Sequence, residues 1–458
     1  MRSSLPHSPA AGKSRAPLSP QAIIALGFLA IILIIAALLM LPVSSASGEW
    51  TGALTALFTA TSAVCVTGLV VVDTAAHWSL FGKLVLLLAI QIGGLGVMTV
   101  FSLAALLFHR RIGLRQRTLL RESVSALHTG SVVRIVRRAL LGTAVFELAG
   151  AAALCVRFVP LFGLRQGVFF ALFHSVSAFC NAGFDLMGLY SGPFSSLEAF
   201  SGDPLVCVTA IALILLGGLG FFVWDDLIEQ RFRWRRLALH TRVVLLVSAA
   251  LLTVPTALFF LFEKGASMQG MDIGERLLAS AFSAVTPRTA GFDTVPTASL
   301  SPAGSLLTLM LMFTGGNPGS TAGGAKTTTV LVMLLLAVST LRREEDAHLL
   351  RRRIGPSLIR RASAVVVIYM TLAMGATLAL CAAQPSLALG DVLIEVFSAV
   401  NTVGMSTGIT RALSPFSRVA VMLLMYAGRL GSLTFALLVF RHTDSGPVRR
   451  PEGQLLIG

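Results

Sequence analysis

Charge is scarce in this chain. Asp, Glu, Lys and Arg together make up 12% of its 458 residues, while 55% are hydrophobic. Soluble domains carry roughly twice that share of charge, so a soluble fold is excluded and a polytopic membrane protein is expected. Cysteine is scarcer still. Cys65, Cys155, Cys180, Cys207 and Cys381 lie in or beside apolar runs, with no CxxC or Cys/His spacing, which argues against a zinc site and a secreted disulfide framework alike. No GxGxxG follows a strand, and GGAKTTT (323–329) lacks the GxxxxGK[ST] spacing of a phosphate-binding loop. Acids are outnumbered, 21 against 36 Lys and Arg, for a net charge of +15. That surplus sits in loops between apolar runs. It reads as a membrane-orientation signal and not as a nucleic-acid surface.

What the chain does have is long apolar runs. Eight are long enough to span a bilayer: 21–43, 80–108, 138–160, 204–228, 241–263, 302–341, 360–383 and 415–441. The first is too long for a signal-peptide core. Shorter semi-apolar stretches at 51–63, 167–179, 274–284 and 389–399 have the length of re-entrant segments. The loops HRRIGLRQRTLLRE, EQRFRWRRLALHTR and LRREEDAHLLRRRIGPSLIRR are basic, as are both tails. The opposite loops hold Asp73, Asp185, Glu198, Asp203, Asp272 and Asp293. Basic loops stay cytoplasmic, so both termini are expected there.

Each short stretch ends in a similar motif: SAVCVTGL (62–69), SAFCNAGF (177–184), VTPRTAGF (285–292) and SAVNTVGM (398–405). With Gly68, Gly183, Gly291 and Gly404 in register, Ser62, Ser177 and Ser398 align, and so do Phe58 and Phe173. Four units of helix, short helix, glycine-ended loop and helix follow one another in parallel orientation. Non-helical backbone at membrane depth must be buried in protein or line water, so four such loops imply a shared wetted axis. A short helix aims the negative end of its dipole at that axis, and glycine lets carbonyls turn inward. No Asp or Glu precedes the glycines, which favours a monovalent over a divalent ion. Thr67 and Asn181 could add neutral oxygens. Arg288 is expected to face away and tie its loop to an acid or a carbonyl.

These four units resemble the Ktr/Trk/HKT superfamily of potassium transporters over about residues 20–442, with TPRTAGF most like the Ktr branch. The resemblance implies an all-α polytopic membrane protein, four pseudo-symmetric helix–pore-helix–loop–helix (M1–P–M2) repeats around a central pore. The repeats would occupy 21–108, 138–229, 230–342 and 343–442, with a disordered cytoplasmic N-terminus (1–20), a cytoplasmic linker (109–137) and a cytoplasmic tail (443–458). It implies potassium uptake, with a filter drawn from Val66, Thr67, Gly68, Asn181, Ala182, Gly183, Thr289, Ala290, Gly291, Thr402, Val403 and Gly404. In plant relatives a serine in place of the first glycine accompanies sodium preference, so Gly68 favours potassium. Cys65, Cys180 and Pro287 are local departures.

The sixth span is interrupted by FTGGNPGSTAGGAKTTT (313–329), which no regular helix accommodates. Its flanks are too short to span singly. By resemblance it is a mobile intramembrane gate under the filter, made of Gly315, Gly316, Gly319, Ser320, Thr321, Gly323, Gly324 and Lys326. Lys326 should face water, a carbonyl or a carboxylate. Arg429 matches a family arginine in the fourth M2, where its charge would repel cations and help to gate. Glu147 is read either as a structural partner for a buried basic group or as a proton-linked site. Glycines in QIGGLGV (91–97), LLGGLGF (215–221) and AGRLGS (427–432) suit close helix packing.

Potassium is the expected cargo, with Na+ as a candidate coupling ion, and no covalent cofactor or enzyme activity is expected. The expected partners are membrane lipid, a second copy in a homodimer, and a cytosolic nucleotide-binding regulatory subunit, in a bacterial inner membrane. One rival is a secondary transporter of another cation or small substrate, disfavoured because the repeats are not inverted. Another is an intramembrane hydrolase built on His174 and Ser177, disfavoured because the serine recurs without its histidine.

Overall fold

The computed structural model describes residues 20–96, 132–344, 346–350 and 352–431. The expected N-terminal tail, most of the linker and the C-terminal tail lie outside them. In repeat 1, α1 (Pro20–Met40) leads to the short α2 (Ala53–Val64), then a turn, α3 (Thr74–His77), and α4 (Leu80–Leu95). Repeat 2 begins with α5 (Val132–Phe179), whose only break is Gly163 (φ 78°), just after Pro160. The segments expected at 138–160 and 167–179 are therefore one helix folded at a single residue. α6 (Pro204–Leu219) and α7 (Phe221–Glu229) complete the unit. Repeat 3 comprises α8 (Leu239–Phe262), α9 (Ile273–Val285), α10 (Pro302–Thr314) and α11 (Thr327–Leu341). A small hairpin, β1 (His348–Leu349) with β2 (Arg352–Arg353), precedes α12 (Pro356–Ala383), α13 (Leu389–Val400) and α14 (Pro415–Leu430) of repeat 4.

The helix that follows each glycine loop starts the same way. Ser79, Asp203, Ser301 and Ser414 are its N-caps, each accepting from a backbone N–H two or three residues on. Such a cap satisfies one of the amides that a helix start leaves free.

Their ends show where the expected spans are interrupted. Among the described residues four helices are long and apolar enough to cross a membrane, five if the bent pair α6–α7 is one span. The others stop at a glycine in a conformation that L side chains rarely adopt: Gly96 (φ 81°), Gly315 (φ 63°) and Gly431 (φ 85°). The fourth expected span, 204–228, breaks at Gly220 (φ 99°) and turns by 88°. Continuations of the second and eighth spans past 96 and 431 lie outside the described residues.

The glycines inside these helices have a packing reason. A Cβ on Gly93 would run into the carbonyl of Val64, one on Gly217 into that of Phe179, and one on Gly428 into that of Val400. Those carbonyls belong to the last residues of α2, α5 and α13. Each short helix thus rests its C-terminus on a bare stretch of the helix behind it, a contact that only a small residue allows. Phe58 and Phe173, aligned in the sequence, are both fully buried.

Candidate functional site

The four loop glycines meet. A Cβ on Gly68 would lie 3.1 Å from the Cα of Gly183 and 3.2 Å from that of Gly404. One on Gly291 would lie 3.0 Å from the Cα of Gly404 and 3.3 Å from that of Gly183. The ring closes in chain order. The carbonyl of the residue before each glycine lies against the preceding loop: Ala182 O is 2.7 Å from a Cβ placed on Gly68, and Ala290 O is 2.9 Å from one on Gly183. Val403 O and Thr67 O take the same place at Gly291 and Gly404. All four glycines have positive φ, and so do the residues two before them: Val66 (56°), Asn181 (58°), Thr289 (71°) and Thr402 (51°). A left-handed non-glycine residue costs about 1 kcal/mol or more, and here it recurs four times at one register position. Strain repeated in this way marks a shape imposed by the surroundings.

Hydrogen bonds behind the ring impose it. Ser62 Oγ accepts from Gly68 N (3.1 Å), Ser398 Oγ from Gly404 N (3.0 Å) and Ser177 Oγ from Phe184 N (3.0 Å). The carbonyls of the same serines accept from Thr67, Val403 and Ala182 at 2.8 Å. In the third loop Thr286 takes over from one position later, accepting Ala290 N at its carbonyl and donating its hydroxyl to Phe292 O. Thr67 Oγ1 and Thr402 Oγ1 are buried and find no partner among the described residues. Asn181 turns its amide toward the third loop, 3.4 Å from Thr289 Oγ1.

Arg288 departs from expectation. It is buried, but no acid and no carbonyl engages its guanidinium among the described residues, and its Nε is unsatisfied. Of the two readings of Glu147, the first finds no support: no basic group pairs with it among the described residues; it accepts from Gln91 Nε2 (3.2 Å) and lies 3.7 Å from Cys180 Sγ, which ties α4 and α5 to the second loop. His174 and Ser177 do not form a hydrolytic pair. The histidine bonds Phe170 O and accepts from Leu186 N, while the serine is held by Phe184 N.

On one side of the ring lies the segment between α10 and α11. A Cβ on Gly323 would collide with Thr402 Oγ1, and one on Gly324 would lie 3.3 Å from Asn401 Oδ1, so the segment presses on the start of the fourth loop. The breakage of α6 fixes it in place. Carbonyls left free at Gly217 and Gly218 accept from Thr321 N and from Asn317 N and Nδ2. Such groups must find partners somewhere. Asn317 Oδ1 accepts from Thr327 Oγ1 (2.5 Å), and Thr321 Oγ1 donates to Phe179 O (3.1 Å). Gly220, whose Cβ would lie 2.6 Å from Pro318 O, has Gly319 O as acceptor for the next amide. Gly315 and Gly316 fold back on Gly323, while Ser320 donates to Asn317 O. Lys326 Nζ donates to the carbonyls of Ala322 (2.6 Å) and Gly323 (3.3 Å). Arg429 bridges the segment to repeat 1: Nη1 donates to Thr321 O (2.6 Å) and Nη2 to the carbonyls of Gly93 and Gly94. Those two carbonyls end α4, where the helix dipole is negative.

On the other side lies a mouth of about 230 Å³ that reaches all four glycines. Asp73, Asp185, Glu198, Asp293 and Arg411 line it. Burial pushes the Asp185 carboxyl up to about 6 and that of Asp293 up to about 8, with neighbouring acids adding to both. Arg411 sits over the ring of Phe194, 4.4 Å from its centre. This cluster was not singled out as a site in the sequence, although GFD recurs at 183–185 and 291–293.

Comparison with known proteins agrees with this architecture. A family model described as "TrkH: Cation transport protein" matches residues 20–448. The chain is 37% identical over 450 residues to the potassium/sodium uptake protein NtpJ of Enterococcus hirae, covering 97% of this chain and 98% of that one. It is 36% identical over 443 residues to the Ktr system potassium uptake protein B of Bacillus subtilis, covering 96% and 97%. The crystal structure of the potassium transporter TrkH from Vibrio parahaemolyticus superimposes with a TM-score of 0.71 at 17% identity, covering 93% of this chain and 86% of that one.

Proposed function

Since the chain belongs to the TrkH family of cation transport proteins, multi-pass membrane proteins and not enzymes, we propose that it takes up potassium across a bacterial cell membrane through the ring at Gly68, Gly183, Gly291 and Gly404. One observation carries the reading: in all four loops a left-handed residue and a left-handed glycine flank a carbonyl that lies against the glycine of the preceding loop, the first loop following the fourth. A ring of carbonyls can replace the water around an alkali ion. The short helices add negative potential from their C-termini, and the acidic mouth would concentrate cations before entry. Relatives named for potassium, or for potassium and sodium, support the same cargo.

The segment 313–329 is the gate in this reading. It stands between the ring and the basic side of the protein, and Arg429 is its latch. That side is cytoplasmic by the distribution of arginine. Exposed Arg231, Arg233, Arg235 and Arg236 there, with Arg352 and Arg353, support docking of an acidic surface on a cytosolic nucleotide-binding subunit. The membrane subunit would act as a homodimer with one pore per protomer, and Na+ remains the candidate coupling ion. The test is growth of a potassium-uptake-deficient bacterium at limiting potassium. The wild-type chain should restore growth and Gly291→Ser should not. Equal rescue by both would remove the ring from the mechanism.

A further inference from the structure

A second cavity, of about 620 Å³, opens between the start of α4 and the fold of α5 at Gly163. Lys83, Arg165 and Gln166 line it together with the rings of Phe162, Phe170 and Tyr190, and no carboxylate does. The two cations are unusual. They stand at the mouth end of the spans, whereas the arginine-rich loops lie at the other end. Arg157, on the same helix as Arg165, is paired with Asp203 at 2.6 Å. Neither Lys83 nor Arg165 has such a partner among the described residues. Asp73 attracts Lys83 only at longer range, and its oxygens already accept from Ala76 N and Phe194 N.

The height of the cavity matters as much as its charge. Lys83 is in the first turn of α4, and Arg165 directly follows the turn that ends the first span of repeat 2. Both therefore lie where a span meets the headgroup layer. Leu80, Leu84 and Leu88 run from the cavity along α4 as one exposed stripe toward the middle of the membrane. A phosphate beside two cations, with aromatic rings around the glycerol and an apolar track for the acyl chains, matches a phospholipid, and the surplus of positive charge selects an anionic one.

We propose that this cavity binds an anionic glycerophospholipid of the mouth-side leaflet through Lys83, Arg165 and Gln166. The bound lipid clamps α4 of repeat 1 to the short helix of repeat 2, two walls of the glycine ring. The proposal needs only that the chain spans a membrane and is independent of the transported ion.

Native mass spectrometry of the full-length protein tests it, with phosphatidylglycerol, phosphatidylcholine and inorganic phosphate titrated separately. The wild type should hold phosphatidylglycerol in preference to phosphatidylcholine and should ignore free phosphate. Each cation near a membrane surface contributes roughly a fivefold preference, so Lys83→Gln with Arg165→Gln should lose most of it. Arg157→Gln, whose arginine is already paired, should keep it. If the double variant fails to fold, Lys83→Gln alone should lose about fivefold. Equal binding of the two lipids by the wild type would overturn the proposal and leave both cations merely reaching for water. So would an unchanged preference in the folded variants, or capture of free phosphate alone. Phe169 also lines the cavity, and lipid-free dimers that cross-link through Phe169→Cys would put a second copy there and overturn it too.

Discussion

Arg429 donates to the carbonyl of Thr321 at 2.6 Å, joining the end of the fourth repeat to the segment that lies across the glycine ring. The same guanidinium reaches Gly93 and Gly94 in the first repeat, so one side chain ties together the first repeat, the fourth repeat and the segment between α10 and α11. Its position has a simple origin. In the aligned runs GGLG (93–96), GGLG (217–220) and GRLG (428–431), arginine replaces the second glycine. A hydrogen bond from a charged donor is worth about 1.5–3 kcal/mol. Arg429→Gln should therefore shift the closed segment toward open roughly tenfold to a hundredfold. Potassium flux into proteoliposomes, measured without any partner protein, should rise. An unchanged basal flux would mean that the arginine is no latch.

Asn317 offers an independent handle on the same segment. It is fully buried and joins Gly218 O, Ser248 Oγ and Thr327 Oγ1. Asn317→Ala strands these groups at about 1–3 kcal/mol for each one left unsatisfied. The variant should show faster proteolysis or cysteine labelling within 315–326 while the rest of the chain stays protected. Uniform loss of protection would show that Asn317 supports the whole fold instead.

The mouth should respond to pH. The Asp293 and Asp185 carboxyls, pushed up to about 8 and about 6 by burial, take up protons as pH falls from about 9 to 5, and the mouth loses negative charge. Uptake should fall over that window at fixed potassium, and Asp293→Asn should flatten its alkaline part. Stability should run the other way. Both groups hold a proton in the folded protein that they lose when unfolded, so their contribution is greatest below the unfolded value near 4 and is lost as pH rises through 6 and 8. Thermal melts of the wild type and Asp293→Asn at pH 5 and 9 check the sign. The wild type should lose more stability than the variant between them.

Glu263 illustrates a buried acid with a structural task. It is fully buried at the end of α8, accepts from Ser301 N and Oγ and from Ser267 Oγ, and so pins the start of α10. Glu263→Ala should lower stability by about 3 kcal/mol or more, since several charge-assisted bonds go at once. Retained melting behaviour would contradict this.

Much of the architecture was legible because it repeats. Four glycines in register with three serines announced four equivalent loops, and the serines prove to be what holds the loop amides. The breaks in the spans were less visible. LLGGLGF reads as uninterrupted apolar sequence, and only contact with Pro318 in another repeat shows why α6 must stop at Gly220. The partner of Glu147 was hidden for a similar reason. One of the two sequence readings gave this buried acid a cation as partner, whereas the fold delivers a neutral amide, Gln91, from a neighbouring repeat. Arg288, with no acid beside it among the described residues and its Nε unsatisfied, runs against the usual rule that buried charge is paired, and no feature of TPRTAGF foretells it.

The central claim is that four glycine-ended turns act together as one carbonyl ring selecting potassium. Gly404→Ser, which would push a side chain into the space occupied by Thr67 O, tests it most directly in proteoliposomes under matched potassium and sodium gradients. The ring predicts that the preference for potassium drops roughly tenfold or more, equivalent to about 1.4 kcal/mol, in protein whose melting temperature is retained. A folded variant with the wild-type preference and flux would contradict it.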